Sequence, residues 1–366
     1  MTYTAVLIVP TGIGASIGGY AGDALPVARA MAGVVDHLIT HPNVLNGAQL
    51  YWPLANAHYV EGYGLDRFCA GQWGLRPVPQ NRVGLLLDQA VETELRWRHL
   101  QAADAARATL GLDLTGYMVT DAPLGVTLQT AASGATWGTI ARPDSLLRAA
   151  ARLITAGAEA IAVVARFPDD EDSAVLQAYR QGQGVDPLAG AEAVISHLVV
   201  RTFQVPCAHA PALQPLPLEP SISPKSAAEE TGYTFLPCVL AGLSQAPNFA
   251  TSPNDDHQAL WADQVNAVVV PATACGGSGV LSLSRQRPLI IAVAENQTTM
   301  QVSPAAVGID AVIVASYLEA IGFLAAHRAG VSGHLLQQSS QGVAPIAAHA
   351  AIPDLSVANS MGTGVR

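Results

Sequence analysis

The residues with the chemistry to bind or transform a small molecule fall in four places. The first is Thr11-Gly12-Ile13-Gly14-Ala15-Ser16-Ile17-Gly18-Gly19-Tyr20-Ala21-Gly22, directly after the apolar run at 5–9. Glycines after a strand permit positive φ and close backbone approach to a ligand. N–H groups leading into a helix can hold an anion. Gly12, Gly14, Ser16, Gly18 and Gly19 are therefore candidate binders of phosphate or carboxylate, with a purely structural turn as the equal alternative. The spacing is neither G-x-G-x-x-G nor G-x-x-x-x-G-K-[ST], and no lysine follows it. Gly14 to Gly18 spell G-x-S-x-G, but a nucleophile elbow follows a middle strand of its sheet, and here almost nothing precedes it.

The second place is the stretch 41–63, which holds His41, Asn43, Asn46, Tyr51, Trp52, His58, Tyr59 and Glu61. It begins at the carboxyl end of an expected strand, where open α/β sheets place their ligands. Amides, imidazoles and aromatics can orient a small polar molecule there. The competing reading is a subunit contact, since Tyr and Trp favour interfaces. The third place is Cys275-Gly276-Gly277-Ser278, again beyond a strand. A thiolate there could be stabilised by backbone N–H groups, although an inert thiol in a second anion-binding turn weighs more. The fourth is Glu295-Asn296, which joins Asp36, Asp88 and Asp121 as polar groups near strand ends. Two converging carboxylates could act as acid and base or hold Mg²⁺, while each Asp taken singly reads as a cap or turn residue. No zinc pattern such as H-E-x-x-H is present.

The elements that must position these groups alternate between apolar runs and helical patterns, the signature of a mainly parallel sheet flanked by helices. Strands are expected at 5–9, 34–40, 83–87, 114–120, 160–167, 235–240, 267–270, 289–293 and 311–314. Helices are expected at 23–33 with Asp23 as N-cap, and at 65–72, 91–110, 145–156, 189–203 and 317–330. Residues 168–172 read as a solvated acidic turn. Residues 206–224 are so dense in proline that a regular helix or central strand is excluded there. The organisation expected is an N-terminal α/β lobe (1–205), a proline-rich linker or insertion (206–234), a C-terminal α/β lobe (235–330) sharing the same cleft, and a weakly structured tail (331–366).

Composition bounds the function. Half of the 366 residues are hydrophobic, which excludes a disordered chain. Lys and Arg number 18 against 28 Asp and Glu, a net charge of −10 that argues against nucleic acid or an anionic membrane as the main partner. The four cysteines form no C-x-x-C pair, as in a reducing compartment. The run after Met1 is too short to span a membrane and lacks a basic flank, so a cytoplasmic setting is expected.

Taken together, VPTGIGASIGGYAGDA, LITHPNVLNGAQLYWP, ACGGSGVL, AVAENQTTM and YLEAIGFLAAHRAG resemble a conserved family of unknown function found mainly in photosynthetic lineages. The resemblance spans residues 5 to about 330. It implies a cyanobacterial cytoplasm or plastid stroma and lends no catalytic residues. On residue chemistry alone, the expectation is an enzyme acting on a small anionic metabolite. In that reading the turns at Gly12–Gly19 and Gly276–Ser278 bind the anion, and His41, Asn43, Asn46 and Asn296 orient the substrate. Cys275, Glu295, Asp121 or His41 carries the chemistry, in a transfer, hydrolysis or isomerisation. The rivals are a metabolite sensor without catalysis, and a homo-oligomeric interaction protein that uses the aromatic stretch 41–63.

Overall fold

A computed structural model describes residues 2–169, 173–233, 235–253 and 257–336. In chain order its elements are β1 (Thr4–Leu7), α1 (Leu25–Ala32), β2 (His37–Thr40), α2 (Pro42–Leu45), α3 (Ala48–Tyr51), β3 (Ala57–Tyr59), α4 (Gly62–Cys69), β4 (Gly74–Arg76), β5 (Val83–Leu87), α5 (Thr93–Leu110), β6 (Leu114–Val119), β7 (Val126–Thr130) and β8 (Thr136–Ile140). There follow α6 (Pro143–Thr155), β9 (Ala160–Arg166), α7 (Ala174–Arg180), α8 (Ala189–Phe203), β10 (Cys207–Ala212), α9 (Pro224–Ala228), α10 (Leu236–Ser244), β11 (Asn248–Ala250), β12 (Val265–Pro271), α11 (Ser278–Ser284), β13 (Leu289–Val293), β14 (Val312–Val314) and α12 (Tyr317–Arg328).

Two parallel sheets carry the fold. The larger runs β3-β2-β1-β12-β13-β14, and every neighbouring pair is parallel. Counted along its own strands, that order is 3-2-1-4-5-6, the doubly wound arrangement whose ligand crevice opens where strands 1 and 4 diverge. The smaller runs β6-β5-β9-β10, also all parallel, with its reversal between β5 and β9. The short pairs β4/β11 and β7/β8 are antiparallel.

Period-two alternation sends successive residues of each central strand to opposite faces. Ala5 and Leu7 of β1 enter one core, while Val6 enters another. Leu85 and Leu87 of β5 share the core of Ala5 and Leu7, and Leu86 faces the far side of its sheet. One apolar layer therefore serves the inner faces of both sheets.

That layer explains a departure from expectation. Residues 235–240 were expected as a strand, but 236–240 lie in α10, whose every residue except Pro237 is buried. It packs against α3, α5, β9 and β10. A helix buried all round is apolar all round, so a short stretch of it has no polar face to reveal its period.

The expected division into lobes is also revised. β1–β3 come from residues 1–205 and β12–β14 from 235–330, yet they form a single sheet. The second sheet, with its helices, is inserted between β3 and β12. The proline-rich stretch is partly structured, since Cys207–Ala212 forms β10 at the edge of the smaller sheet. An edge strand accommodates Pro211 because its outer side needs no ladder bond.

Asp23 does not cap α1. Ala24 holds that position, and Asp23 instead accepts from the Gly18 N–H at 2.5 Å. Of the expected acidic turn, residues 170–172 lie outside the described residues, as does 337–366 of the expected tail. Among the described residues no helix is long and apolar enough to cross a membrane.

Candidate functional site

The carboxyl ends of β1, β2 and β3 face β10, the first turns of α8 and the segment beyond β10 across a cavity of about 940 Å³. Pro10 and Thr11 after β1 line it, as do Gly277 and Ser278 after β12, so it opens at the switch point of the larger sheet. Its volume is in the range of metabolite pockets, about 300–1,000 Å³.

The best-organised polar pair in this wall is Glu61 with His197. Glu61 follows β3 and caps α4: its Oε2 accepts from the N–H groups of Tyr63 at 2.8 Å and Gly64 at 3.2 Å. Its Oε1 lies 3.0 Å from His197 Nε2 and accepts from Ser196 Oγ at 3.3 Å. Packing of α4 on α8 brings these residues together. A Cβ at position 62 would stand 3.0 Å from His197 Nε2, so Gly62 leaves room for the ring. The Glu61 side chain is 4% exposed and that of His197 43% exposed, an anchored carboxylate behind an accessible imidazole. Burial pulls the His197 pKa down. The hydrogen bond and charge of Glu61, with Asp66 adding, outweigh burial and raise it above the ordinary value.

Deeper in the wall, His209 Nε2 of β10 lies 3.5 Å from Glu192 Oε2 of α8. Among the described residues, His209 Nδ1 is buried with no hydrogen-bond partner. Asp186 accepts from the Leu188 N–H at 2.8 Å, and burial together with the Glu192 charge pushes its pKa up to about 7. Glu229 is likewise held well above the ordinary carboxylate value by burial and by Asp186. It accepts from the Ala21 N–H at 2.5 Å and the Tyr179 hydroxyl at 2.9 Å. Among the described residues no three His, Cys, Asp or Glu side chains group as a metal site requires.

Of the residues expected from sequence, His41, Asn43, Asn46, Gly277 and Ser278 line this cavity. His41 Nε2 accepts from the Val9 N–H at 3.3 Å, which assigns a neutral imidazole, and burial lowers its pKa to about 4. Asn43 Nδ2 donates to Gly18 O at 2.8 Å, Asn46 Oδ1 accepts from the Tyr59 hydroxyl at 3.2 Å, and Ser278 Oγ donates to Asp66 at 2.5 Å.

The glycine-rich turn is knitted into the protein. The N–H groups of Ile17, Gly18, Ala21 and Gly22 donate to Asn296 Oδ1, Asp23, Glu229 and Asn43 O. Two of those acceptors are carboxylates, the opposite of an anion seat. A Cβ on Gly12 would meet Thr136 Oγ1 at 3.1 Å, on Gly14 Val185 at 2.9 Å, on Gly18 Val9 at 2.5 Å and on Gly19 Ala15 O at 2.3 Å. These glycines are needed for packing. Ser16 is exposed, with its Oγ donating to Gln297 O at 3.3 Å. Asn296 is fully buried: its Nδ2 donates to Ile17 O and the Tyr317 hydroxyl, each at 2.7 Å, so it pins the turn.

Cys275, Glu295 and Asp121 are not among the cavity-lining residues. Cys275 sits in the core, where burial pushes its thiol up to about 11, and Gly276 packs beside Val302. Glu295 accepts from the Tyr317 N–H at 2.7 Å, fixing the start of α12. Asp121 pairs with Arg148 on the surface, and that guanidinium, with Ser145, holds its carboxyl well below the usual range. In the aromatic stretch Tyr59 is buried within this chain, whereas Tyr51 and Trp52 are exposed and Arg29 lies 3.3 Å over the Trp52 ring.

Sequence reasoning passed over His197, Glu192 and His209. The signal was there: Glu192, Ser196 and His197 place a carboxylate, a hydroxyl and an imidazole on successive turns of a helix that is otherwise apolar from Ala189 to Val200.

Comparison with known proteins adds a family and no activity. A Synechococcus sp. protein named as an uncharacterised lipoprotein is 64% identical over 328 residues, covering 90% of this chain and 91% of the relative. No solved structure matches the chain. The family described as "Protein of unknown function (DUF3326)" matches residues 4–337. The six-strand and four-strand sheets together with the cavity between them all lie inside that match, and the chain belongs to the DUF3326 family.

Proposed function

We propose that the protein is an enzyme acting on a small molecule held in the cavity between the sheets. In this reading His197 is the proton-transfer group and Glu61 the carboxylate that orients it. The observation that supports it is the 3.0 Å contact between His197 Nε2 and Glu61 Oε1 at the cavity wall. A buried carboxylate behind an imidazole fixes the ring's rotation and tautomer and holds its pKa above the ordinary value, an arrangement suited to general acid–base work. Such a step serves isomerisation, hydrolysis or group transfer alike.

The anionic metabolite expected from the glycine-rich turn loses its main support, because five of the turn's N–H groups already have protein acceptors. The lining sets the acidic side chains Asp186, Glu192 and Glu229 beside Arg98 and Arg180, so it does not single out an anion. A ligand that offers hydroxyl or amine donors to those carboxylates, with an apolar part against Leu176, Leu188 and Leu213, suits the lining better. Asn43, Asn46 and Ser278 would orient its polar atoms. The setting we favour is the cytoplasm, where four buried, unpaired cysteines are ordinary.

Native mass spectrometry of gently purified protein, with identification of what denaturation releases, supplies a candidate substrate. Turnover of that compound is then compared with the His197→Gln variant. The expected result is retained binding with turnover lower by roughly 10²–10⁴-fold. Unchanged turnover in the variant would sink the assignment of His197. A compound bound but left unaltered by the natural protein would make it a binding protein instead.

A further inference from the structure

The glycine-rich turn holds something other than an anion. Two stretches that line the cavity, α7 and residues 213–233 with α9, are tied to each other. Arg180 donates to Glu230 Oε1 at 2.9 Å and to Pro217 O at 2.7 Å, while Ser226 Oγ donates to Tyr179 O at 3.0 Å. The Ser223 N–H donates to Arg180 O at 2.9 Å. Between β10 and α9 the backbone forms no ladder, prolines at 215, 217 and 220 stiffen it, and Leu218 is fully exposed.

This paired unit meets the rest of the molecule at the turn. Lys225 Nζ donates to Ser16 O at 2.6 Å and lies 2.9 Å from Asp23 Oδ2. Glu229 accepts from the Ala21 N–H, and the Tyr20 and Tyr179 rings stack with centroids 4.2 Å apart. Glycines mark where the unit joins its neighbours. Gly184 has φ +84° and open space around it, and Gly232 has φ +147°, a conformation that only glycine adopts readily.

We infer that α7 and residues 213–233 form a hinged cap over the cavity, that the turn at Ser16–Asp23 is its seat, and that Lys225 is the latch. Across the seat the polar contacts surround one apolar contact, the stack of Tyr20 on Tyr179, both buried, so opening must expose that pair. At this seat Ser16 presents its carbonyl to the lysine and Ala21 its N–H to Glu229. A latch built from an exposed ammonium also weakens as salt rises.

Hydrogen exchange of the full chain, read by mass spectrometry, tests this without any ligand. In Lys225→Met, amides of 174–184 and 213–233 are expected to exchange about three- to tenfold faster, while those of β1, β12 and α8 keep their natural rates. Lys225→Arg, which keeps the charge and its donors, should restore most of the protection. Cap amides that exchange at the natural rate in Lys225→Met would overturn the latch. So would acceleration spread equally over β1 and β12, since that reports global destabilisation. The readout is independent of whether His197 transfers a proton, so the two assignments fail separately.

Discussion

Four histidines, His41, His99, His197 and His209, line one cavity, and the surroundings of His197 and His41 shift those two in opposite directions. His197 has its pKa raised above the unfolded value, so its contribution to stability is complete below about pH 6.5 and is lost as pH climbs through the folded pKa. His41 has the opposite sign. Burial lowers its pKa to about 4, and His58, buried beside His37, is lowered to about 4 as well. As pH falls from 6.5 toward 4 the unfolded chain takes up a proton at His41 that the folded protein excludes. That one residue therefore removes up to about 3 kcal/mol of stability across the window. His41→Gln keeps a carbonyl acceptor for the Val9 N–H and should flatten the dependence. In urea unfolding at pH 7 and pH 4.5, the difference between natural protein and variant is expected to move by about 2–3 kcal/mol in the variant's favour. An equal difference at both pH values would remove His41 as the cause. His209 shares its wall with Glu192, and among the described residues its buried Nδ1 has no hydrogen-bond partner.

Among the elements, the turn between β1 and α1 shows how a motif legible in sequence can carry a different role. Asn296, at the end of β13, holds that turn by both backbone groups of Ile17 and reaches the Tyr317 hydroxyl on α12. Asn296→Ala strands these groups in a dry site and should lower stability by about 2–4 kcal/mol, read from the urea midpoint at constant slope. A loss under about 0.5 kcal/mol would show that water takes over the pinning. The strands 83–87 and 289–293 and the helix 189–203 were readable to the residue, because apolar runs bounded by turn residues, and a long periodic segment, identify themselves. Residues 236–244 were not, since their helix is apolar on all sides. Nor was the β7/β8 hairpin, whose strands each pair mainly with the other. At the site, His41, Asn43, Asn46 and Ser278 were legible because they follow strands directly. His197 was hidden inside a helix that reads as core, and its partner Glu61 is 136 residues away in the chain.

At the scale of the molecule, the larger sheet is completed only by distant sequence. β1, its central strand, pairs on one side with β2 and on the other with β12, and the second sheet lies between them in the chain. A fragment ending at residue 250 leaves one edge of β1 without Val265–Pro271. The fragment is expected to show no cooperative urea transition, and adding residues 251–366 as a separate polypeptide should restore one. A cooperative transition in the fragment alone would mean that the smaller sheet folds independently of the shared core. The same interleaving governs how the protein is born. At typical synthesis rates of 5–20 residues per second, roughly ten to fifty seconds separate the emergence of β1 from that of β12. Through that interval a strand that is fully buried in the finished fold waits at the ribosome with one edge unpaired, the condition in which nascent chains aggregate or recruit chaperones. Production of this protein should therefore depend on translation speed and chaperone supply more steeply than its finished, well-buried core would suggest.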